Sequence, residues 1–344
     1  MPRPTIFDVA KVAGVSIKTV SRVVNHEPNV RPSTRERVEN AIAVLKYRPD
    51  QAARNLASQR SNIIGLVYDD PAAYDMPSGG YILDLQQGAL AACRPAHSEL
   101  LIHPCDFRKK KVGVRLKSLI EETRLAGIVL AAPLSNMPKI VRAIEATGTP
   151  LVRLSPGKQS GKHLSVSTND REVCAEMTRY LAGLGHKRIA FIKGDPDHKA
   201  VANRFLGYRD GLKESGLEFS AELVAAGDNS FGSGETCAAQ LLKLKSPPTA
   251  IFAANDDMAA GVLRTAKRLG ISVPGQMSLA GFDDIALARQ VEPALSTIRQ
   301  PLVEMAERAV SMLTRNNERD SNGQGNEIIP AIIKIRESTG PAPS

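Results

Sequence analysis

Beyond Ser61 the chain alternates short apolar runs with longer stretches of helical periodicity, and that alternation admits few folds. Runs at Ile63–Val67, Leu100–His103, Gly127–Leu130 and Leu151–Leu154 predict strands, with helices near Tyr81–Ala92, Val112–Glu121 and Pro138–Thr147. After a crossing near Val166 the pattern starts again. Helices at Arg171–Leu184, Asn203–Ser215, Gly234–Lys243 and Asp256–Leu269 separate strands at Ile189–Ile192, Leu223–Ala225, Ala250–Ala253 and Ser278–Phe282. Such rotation of strand and helix predicts parallel sheets covered by helices on both faces. Two sets predict two lobes, with a ligand between them, outside the carboxyl ends of the strands. A chain of 344 residues has room for two or three domains, each with its own core.

The segment ahead of Ser61 is built differently. In Thr5–Asn25, TIFDVAKVAGVSIKTVSRVVN, the apolar residues Ile6, Val9, Ala10 and Ala13 recur at helical spacing. Gly14 stops that helix, since glycine takes a left-handed turn position without steric penalty. Val15 returns to the core, and Ser16 is placed to cap a second helix beginning at Ile17. Val20, Val23 and Val24 point inward from it, leaving Ile17, Lys18, Ser21 and Arg22 on the outward face. Two short helices joined by a glycine turn, the second exposing cations, predict a helix-turn-helix with its recognition helix. Pro32 opens a third helix with Val38, Ile42 and Leu45 as its buried stripe, and Tyr47-Arg48-Pro49 ends it. Asp50–Ser58 can form a helix of roughly two turns, marginal without a partner. Residues 1–60 hold 11 Lys+Arg against 5 Asp+Glu, whereas the rest of the chain holds 34 against 31. A basic head on a near-neutral body points to a nucleic-acid footprint joined to a domain with another task. A solvated positive face is the bland alternative.

A family resemblance rests on these residues. Asp8-Val9-Ala10, Ala13-Gly14-Val15-Ser16, Thr19-Val20-Ser21-Arg22-Val23-Val24-Asn25 and Thr34-Arg35 resemble the DNA-binding headpiece of the LacI/GalR family of bacterial transcription regulators. Tyr47, Pro49, Ala53 and Leu56-Ala57 support it. The resemblance implies an all-α helix-turn-helix headpiece over 1–48 and a hinge helix over 49–60. It implies a two-lobed α/β core over 61–344, of the periplasmic-binding-protein-like type with parallel sheets. The first lobe would take 61–165 plus 297–335, and the second 166–296. The chain would cross back near Ser296–Pro301 and complete the first lobe with helix Val303–Thr314 and strand Ile332–Ile335. A chain of this kind is expected to be a repressor that binds a pseudo-palindromic operator in double-stranded DNA as a homodimer. A small effector in the interlobe cleft would control operator affinity, with no cofactor.

Within the head, Arg22 is suited to fork onto the N7 and O6 of a guanine, Lys18 to approach the same edge as a point charge, and Ile17 to touch a thymine methyl. The family commonly has a polar or aromatic reader where this chain has Ile17. Thr5, Ser16, Thr19, Ser21, Asn25 and Thr34 are short groups suited to phosphates, which fix register without reading sequence. Arg31 stands where the family usually has a capping serine, so the third helix is less well capped and Arg31 is free to meet a phosphate. Arg54 joins the backbone contacts. By resemblance the hinge helix pairs with its dimer mate in the minor groove and Leu56 wedges into the central base step; the alternative makes Leu56 an ordinary linker residue.

Three polar positions match the family's effector pocket: Arg204 in NRFLGY, Asn255 after TAIFAA, and Asp283 after AGF. Together they offer donors and acceptors suited to the vicinal hydroxyls of a sugar. Each has a structural alternative: a helix N-cap for Asn255, a buried salt bridge or cap for Asp283, an ion pair for Arg204. Ser155 replaces the acidic residue that many members carry at that strand end. Many also have an aromatic after the Gly-Asp that here reads Gly227-Asp228-Asn229, and Phe231 is the candidate substitute. Tyr74, Asp75 and Tyr81 are candidates from the first lobe. A carbohydrate is the favoured effector, with a nucleobase co-repressor as the alternative.

Rival classes fare worse. No GxGxxG or P-loop follows the first strand, no GxSxG is present, and the six histidines form no metal-ligand pair, which argues against an enzyme. Cys93, Cys105, Cys174 and Cys237 form no CxxC pair and fit reduced thiols. No apolar run approaches a membrane span, and Met1-Pro2-Arg3-Pro4 does not open a signal peptide, so a cytoplasmic protein is expected. The Pro-rich tail Thr339–Ser344 lacks the leucine heptad of a tetramerising bundle, which favours a dimer. Asn316–Asn326 reads as a surface loop.

Overall fold

The computed structural model describes residues 4–24, 29–47, 61–70, 79–157, 163–314 and 325–343. They fall into two compact units, Met1–Ser61 and Asn62–Ser344.

In the first unit α1 (Ile6–Ala13), α2 (Ile17–Val24) and α3 (Pro32–Leu45) close around Val9, Ala10, Ala13, Val20, Val23, Val38, Ala41 and Tyr47. Val24, Ile42 and Leu45 pack against that core half-buried. Gly14 takes the left-handed conformation, φ 63°, and its N–H reaches the Ala10 carbonyl, so α1 ends where the sequence predicts. The Ser16 hydroxyl accepts from the Thr19 N–H at 3.2 Å and so caps α2. Arg31 precedes α3 without a side-chain cap bond, and Pro32 supplies the first turn. The predicted hinge helix, with Arg54 and Leu56, lies outside the described residues, as does Asn25.

The second unit has two lobes. In the first, β1 (Ile63–Tyr68), β2 (Glu99–Pro104), β3 (Gly127–Leu130), β4 (Leu151–Leu154), β5 (Leu164–Ser167) and β11 (Asn326–Ile328) form one sheet in the order β11-β5-β4-β3-β1-β2. In the second, β6 (Ile189–Lys193), β7 (Val224–Ala226), β8 (Ala250–Ala253) and β9 (Ser278–Ala280) are ordered β7-β6-β8-β9. Every pairing in both sheets is parallel, as the strand–helix rotation requires. The first lobe has one core on each face of its sheet region, around Leu66, Val129 and Val310 and around Leu116, Ile128 and Ile140. The second is built on Phe191, Phe252, Tyr208 and Leu279.

Two details differ from the sequence expectation. The stretch around Val166 is a strand rather than a bare crossing, because β5 inserts between β4 and β11. The late strand that adds to the first lobe's sheet is Asn326–Ile328, at the end of the segment expected to be a loop. Strand β12 (Ile332–Lys334) instead pairs antiparallel with β10 (Thr297–Arg299), and Ala331 and Ile333 pack on the second lobe's core. Burial decides this: Ala331 and Ile333 continue an apolar surface that the second lobe already presents.

Candidate functional site

On the head, Ile17 and Lys18 are exposed on α2, and Ser21 and Arg22 are half-buried beside them. The face is fixed by what lies opposite, since Val20 and Val23 are fully inside. The small hydroxyl residues have local duties. Thr5 caps α1 in a reciprocal box, its N–H donating to Asp8 Oδ2 at 2.8 Å and its hydroxyl to the same oxygen at 2.7 Å. Ser16 and Thr19 share a hydroxyl–hydroxyl bond of 2.9 Å at the start of α2. Thr34 is half-buried in the first turn of α3, and Arg31 is exposed.

In the core, α7 (Asp170–Gly183) and α8 (Lys199–Glu214) cross closely because Gly207 and Gly211 lie at the contact. A Cβ at either would strike backbone carbonyl oxygens of α7, those of Arg171 and Ala175. This approach brings Arg204 to Asp170. Arg204 Nε donates to Asp170 Oδ2 at 3.1 Å, Nη1 donates to the Ala254 carbonyl at 2.6 Å, and Nη1 stands 3.7 Å from Asp283 Oδ1. Its guanidinium carbon lies 3.7 Å from the centre of the Phe282 ring. All three charged residues are buried.

Asp283 follows β9 with φ 114°, a conformation few non-glycine residues adopt. Its N–H donates to the Ile298 carbonyl at 2.8 Å, and Gln300 Nε2 donates to its Oδ1 at 2.6 Å. Burial drives its carboxyl up to about 7 against the pull of Arg204 and Gln300. Burial likewise raises Asp256, with Asp283 adding to the effect. Asp256 holds Thr297 Oγ1 at 2.6 Å and the Ile285 N–H at 3.0 Å, so it ties the Asp283 loop to the crossing strand. Asp284 beside it gathers Arg299 and Arg336 at 2.6 Å each and Arg289 at 3.4 Å.

Asn255 caps α10 (Asp256–Arg268): its Oδ1 accepts from the Met258 N–H at 2.9 Å and its Nδ2 donates to the Asn229 carbonyl at 2.9 Å. Its structural duty is therefore met on both arms, although each arm keeps one further bonding position. Tyr81, in α4 (Gly80–Cys93), reaches this group from the first lobe. Burial raises its phenol, and the charges of Asp283, Arg204 and Asp170 all act on it. Its neighbour Gly80 packs on Ile285, where a Cβ would come within 2.9 Å of the isoleucine Cβ. Phe231 opens α9 (Phe231–Leu241), with the Arg264 guanidinium 5.7 Å from its ring centre, and Arg264 is its aromatic-face partner rather than the Arg204 group. Tyr74 and Asp75 lie outside the described residues.

The structure thus gathers Arg204, Asp283 and Tyr81 at the seam between lobes, with Asn255 at its border. Sequence reasoning missed Asp170, Gln300 and His198. Asp170 stands one residue ahead of the predicted helix Arg171–Leu184, and Gln300 follows a strand too short for its pattern to register. His198 precedes α8, where burial and the Arg204 charge pull its imidazole down to about 3, so it stays neutral. The lobes meet again where Arg108, following β2, stands 3.5 Å from Asp195, following β6. Among the described residues no helix is long and apolar enough to cross a membrane.

A helix-turn-helix unit followed by two parallel α/β lobes with a charged seam is the architecture of a DNA-binding regulator with a ligand-binding core. Residues 5–50 match the model for bacterial regulatory proteins of the lacI family, and residues 178–339 match the periplasmic binding protein-like domain. Catabolite control protein A of Priestia megaterium is 30% identical over 336 residues, covering 97% of this chain and 99% of that protein. The regulator GalR of Escherichia coli is 34% identical over 312 residues, covering 90% and 88%. Among solved structures, the lac repressor dimer bound to operator and the anti-inducer ONPF aligns with a TM-score of 0.76 at 25% identity, covering 98% of this chain and all of that one. The CelR–cellobiose complex aligns with a TM-score of 0.75 at 27% identity over the same shares. The chain belongs to the LacI family of bacterial transcriptional regulators.

Proposed function

We propose that this regulator is a repressor that binds a pseudo-palindromic operator as a homodimer, and that a sugar in the interlobe seam sets its operator affinity. In this reading the head spans 1–48, the joint 49–60 and the core 61–344. Arg22 and Lys18 read base edges in the major groove, Ile17 touches a thymine methyl, and Leu56 enters the minor groove at the centre of the site. Ser16, Thr19, Ser21, Asn25, Arg31, Thr34 and Arg54 hold phosphates. Thr5 acts mainly through its cap, because the carboxylate of Asp8 stands beside its hydroxyl.

The observation that carries the ligand half is the buried cation Arg204. It is set between Asp170 and Asp283 at 3.1 and 3.7 Å, with Tyr81 of the other lobe within the field of all three. Such a group senses whether the lobes are together. A ligand that binds the closed and open arrangements unequally shifts their populations, and the joint is the covalent route from core to head. Cellobiose in one structural relative supports a sugar. The work of a repressor is at the chromosome, so we place the protein in the cytoplasm.

The test is fluorescence anisotropy of the purified chain on labelled DNA from upstream of its own and neighbouring genes, beside a scrambled duplex, with and without a sugar panel. Tight binding to one pseudo-palindrome, altered by one sugar, is the expected result. Equal and weak binding to both duplexes overturns the DNA reading, and unaltered operator binding across the panel overturns the ligand reading.

A further inference from the structure

We propose that Arg289, Arg299 and Arg336, gathered on Asp284, form a surface site for a phosphate group, separate from the buried seam around Arg204. Such a site stands whether or not the DNA-binding and sugar readings hold.

The Asp284 side chain is fully sealed from solvent, and its two oxygens are already taken. Arg299 Nε donates to Oδ2 at 2.6 Å and Arg336 Nη2 donates to Oδ1 at 2.6 Å. Arg289 comes third: its Nη1 stands 3.4 Å from Oδ1 and donates to the Asp284 carbonyl at 3.3 Å. Three guanidinium groups thus share one carboxylate. Their mutual repulsion is only partly offset, and an arriving anion relieves the remainder.

The three arginines are not equally occupied. Arg336 is 17% exposed, and its Nη1 donates to the Leu295 carbonyl at 2.7 Å. Arg299 is 44% exposed and bonds through Nε alone, so both Nη groups lack a partner among the described residues. Arg289 is 52% exposed and is held only by its two long contacts. Two half-exposed forks therefore lie beside each other, each anchored at one end on the same residue. A planar fork matches two oxygens of a phosphate, and the anchors limit the ordering it must undergo on binding. Phosphate, with nearly two charges and three free oxygens, can use both forks, whereas a hydroxyl compound cannot use their charge.

The fold builds this group from distant segments. Arg289 lies in the short helix Ala286–Gln290, Arg299 ends β10, and Arg336 follows β12. Arg299 and Gln300 are consecutive, and they reach the consecutive acids Asp284 and Asp283, each at 2.6 Å. Arg204 is no part of the group, since it is buried and engaged by Asp170 and the Ala254 carbonyl. Asp84 of α4 is the counterweight. Burial raises its carboxyl, Arg289 opposes the rise and Asp284 adds to it. It stands in the field of Arg289 without an ion pair to it, so its charge repels an entering phosphate.

The experiment is calorimetry on the full chain with inorganic phosphate, glycerol 3-phosphate and glycerol, with ionic strength held constant by potassium chloride. Wild type, Arg289→Gln, Arg299→Gln and Asp84→Asn are compared, and thermal melting shows which variants fold. Arg289→Gln removes only long, exposed contacts, so it keeps the test open if Arg299→Gln does not fold. We expect a phosphate compound to bind, each folded arginine variant to bind it roughly tenfold more weakly, and Asp84→Asn to bind it more tightly. Tighter binding of glycerol 3-phosphate assigns the site to an organic monoester, and tighter binding of inorganic phosphate assigns it to the free ion. No binding of either overturns the site, as does equal affinity in wild type and the folded arginine variants. Binding of glycerol as tight as that of glycerol 3-phosphate, or weaker phosphate binding in Asp84→Asn, overturns the role of charge.

Discussion

Arg204 Nη1 stands 3.7 Å from Asp283 Oδ1 while its Nε is bonded to Asp170 at 3.1 Å, so one buried cation serves two carboxylates of unequal claim. Burial alone would lower the guanidinium, and the two carboxylates more than offset it. Arg204→Met removes the cation and leaves both acids buried, which costs on the order of 3 kcal/mol. Calorimetric melting of the core is expected to fall accordingly, with loss of the ligand-induced rise in melting temperature. Unchanged melting would show that the acids are not held by this arginine.

The Asp283 carboxyl gives the core a defined pH response. Its folded value, about 7, lies above the ordinary carboxylate value of 3.8, so the folded state holds the proton more tightly than the unfolded one. Stability contributed this way is complete below about 4 and is lost as pH rises toward 7. Asp283→Asn keeps a neutral, hydrogen-bonding side chain and is expected to flatten the melting profile between those limits. A variant whose profile parallels wild type refutes the assignment.

Arg108 and Asp195 join the lobes through an exposed guanidinium, 43% accessible, at 3.5 Å from a carboxylate. Such a pair contributes less than about 1 kcal/mol and is screened by salt. A double-mutant cycle with Arg108→Ala and Asp195→Ala should return a small coupling in ligand affinity that vanishes in high salt. A coupling that persists in high salt contradicts a solvent-screened latch.

On the recognition helix, Arg22→Ala is expected to cost about 1–3 kcal/mol on the operator and little on scrambled DNA, because a base contact carries the discrimination. Lys18→Ala tests a weaker point-charge contact on the same helix face. Parallel losses on both duplexes would make Arg22 a phosphate contact.

Much of this was legible in the sequence, and the reason is locality. Gly14, Ser16 and the Val20–Val23 pair act within one or two helical turns, so their spacing alone predicts the turn, the cap and the outward face of α2. The strands Gly127–Leu130 and Ala250–Ala253 lie where their apolar runs are, since a strand buried on both faces has no polar position to blur its ends. Arg204, Asp283 and Asn255 were singled out through motif resemblance, and the structure bears out the structural alternative of each, buried ion pairs for the first two and a helix cap for the third.

Tertiary structure decided the rest. No local signal tells that Asp170 will meet Arg204, because the meeting depends on how closely α7 and α8 can approach through Gly207 and Gly211. None tells that Gln300 will bond Asp283, since the two come from different segments that only the fold brings together. Strand Ile332–Lys334 has the composition to join either lobe, and it lies with β10 because the second lobe offers the apolar surface. Sequence by itself determined the elements and the family, through short-range sterics and periodicity. Which side chains share a charge or a lobe was decided by packing, where the interaction energies belong to residues far apart along the chain.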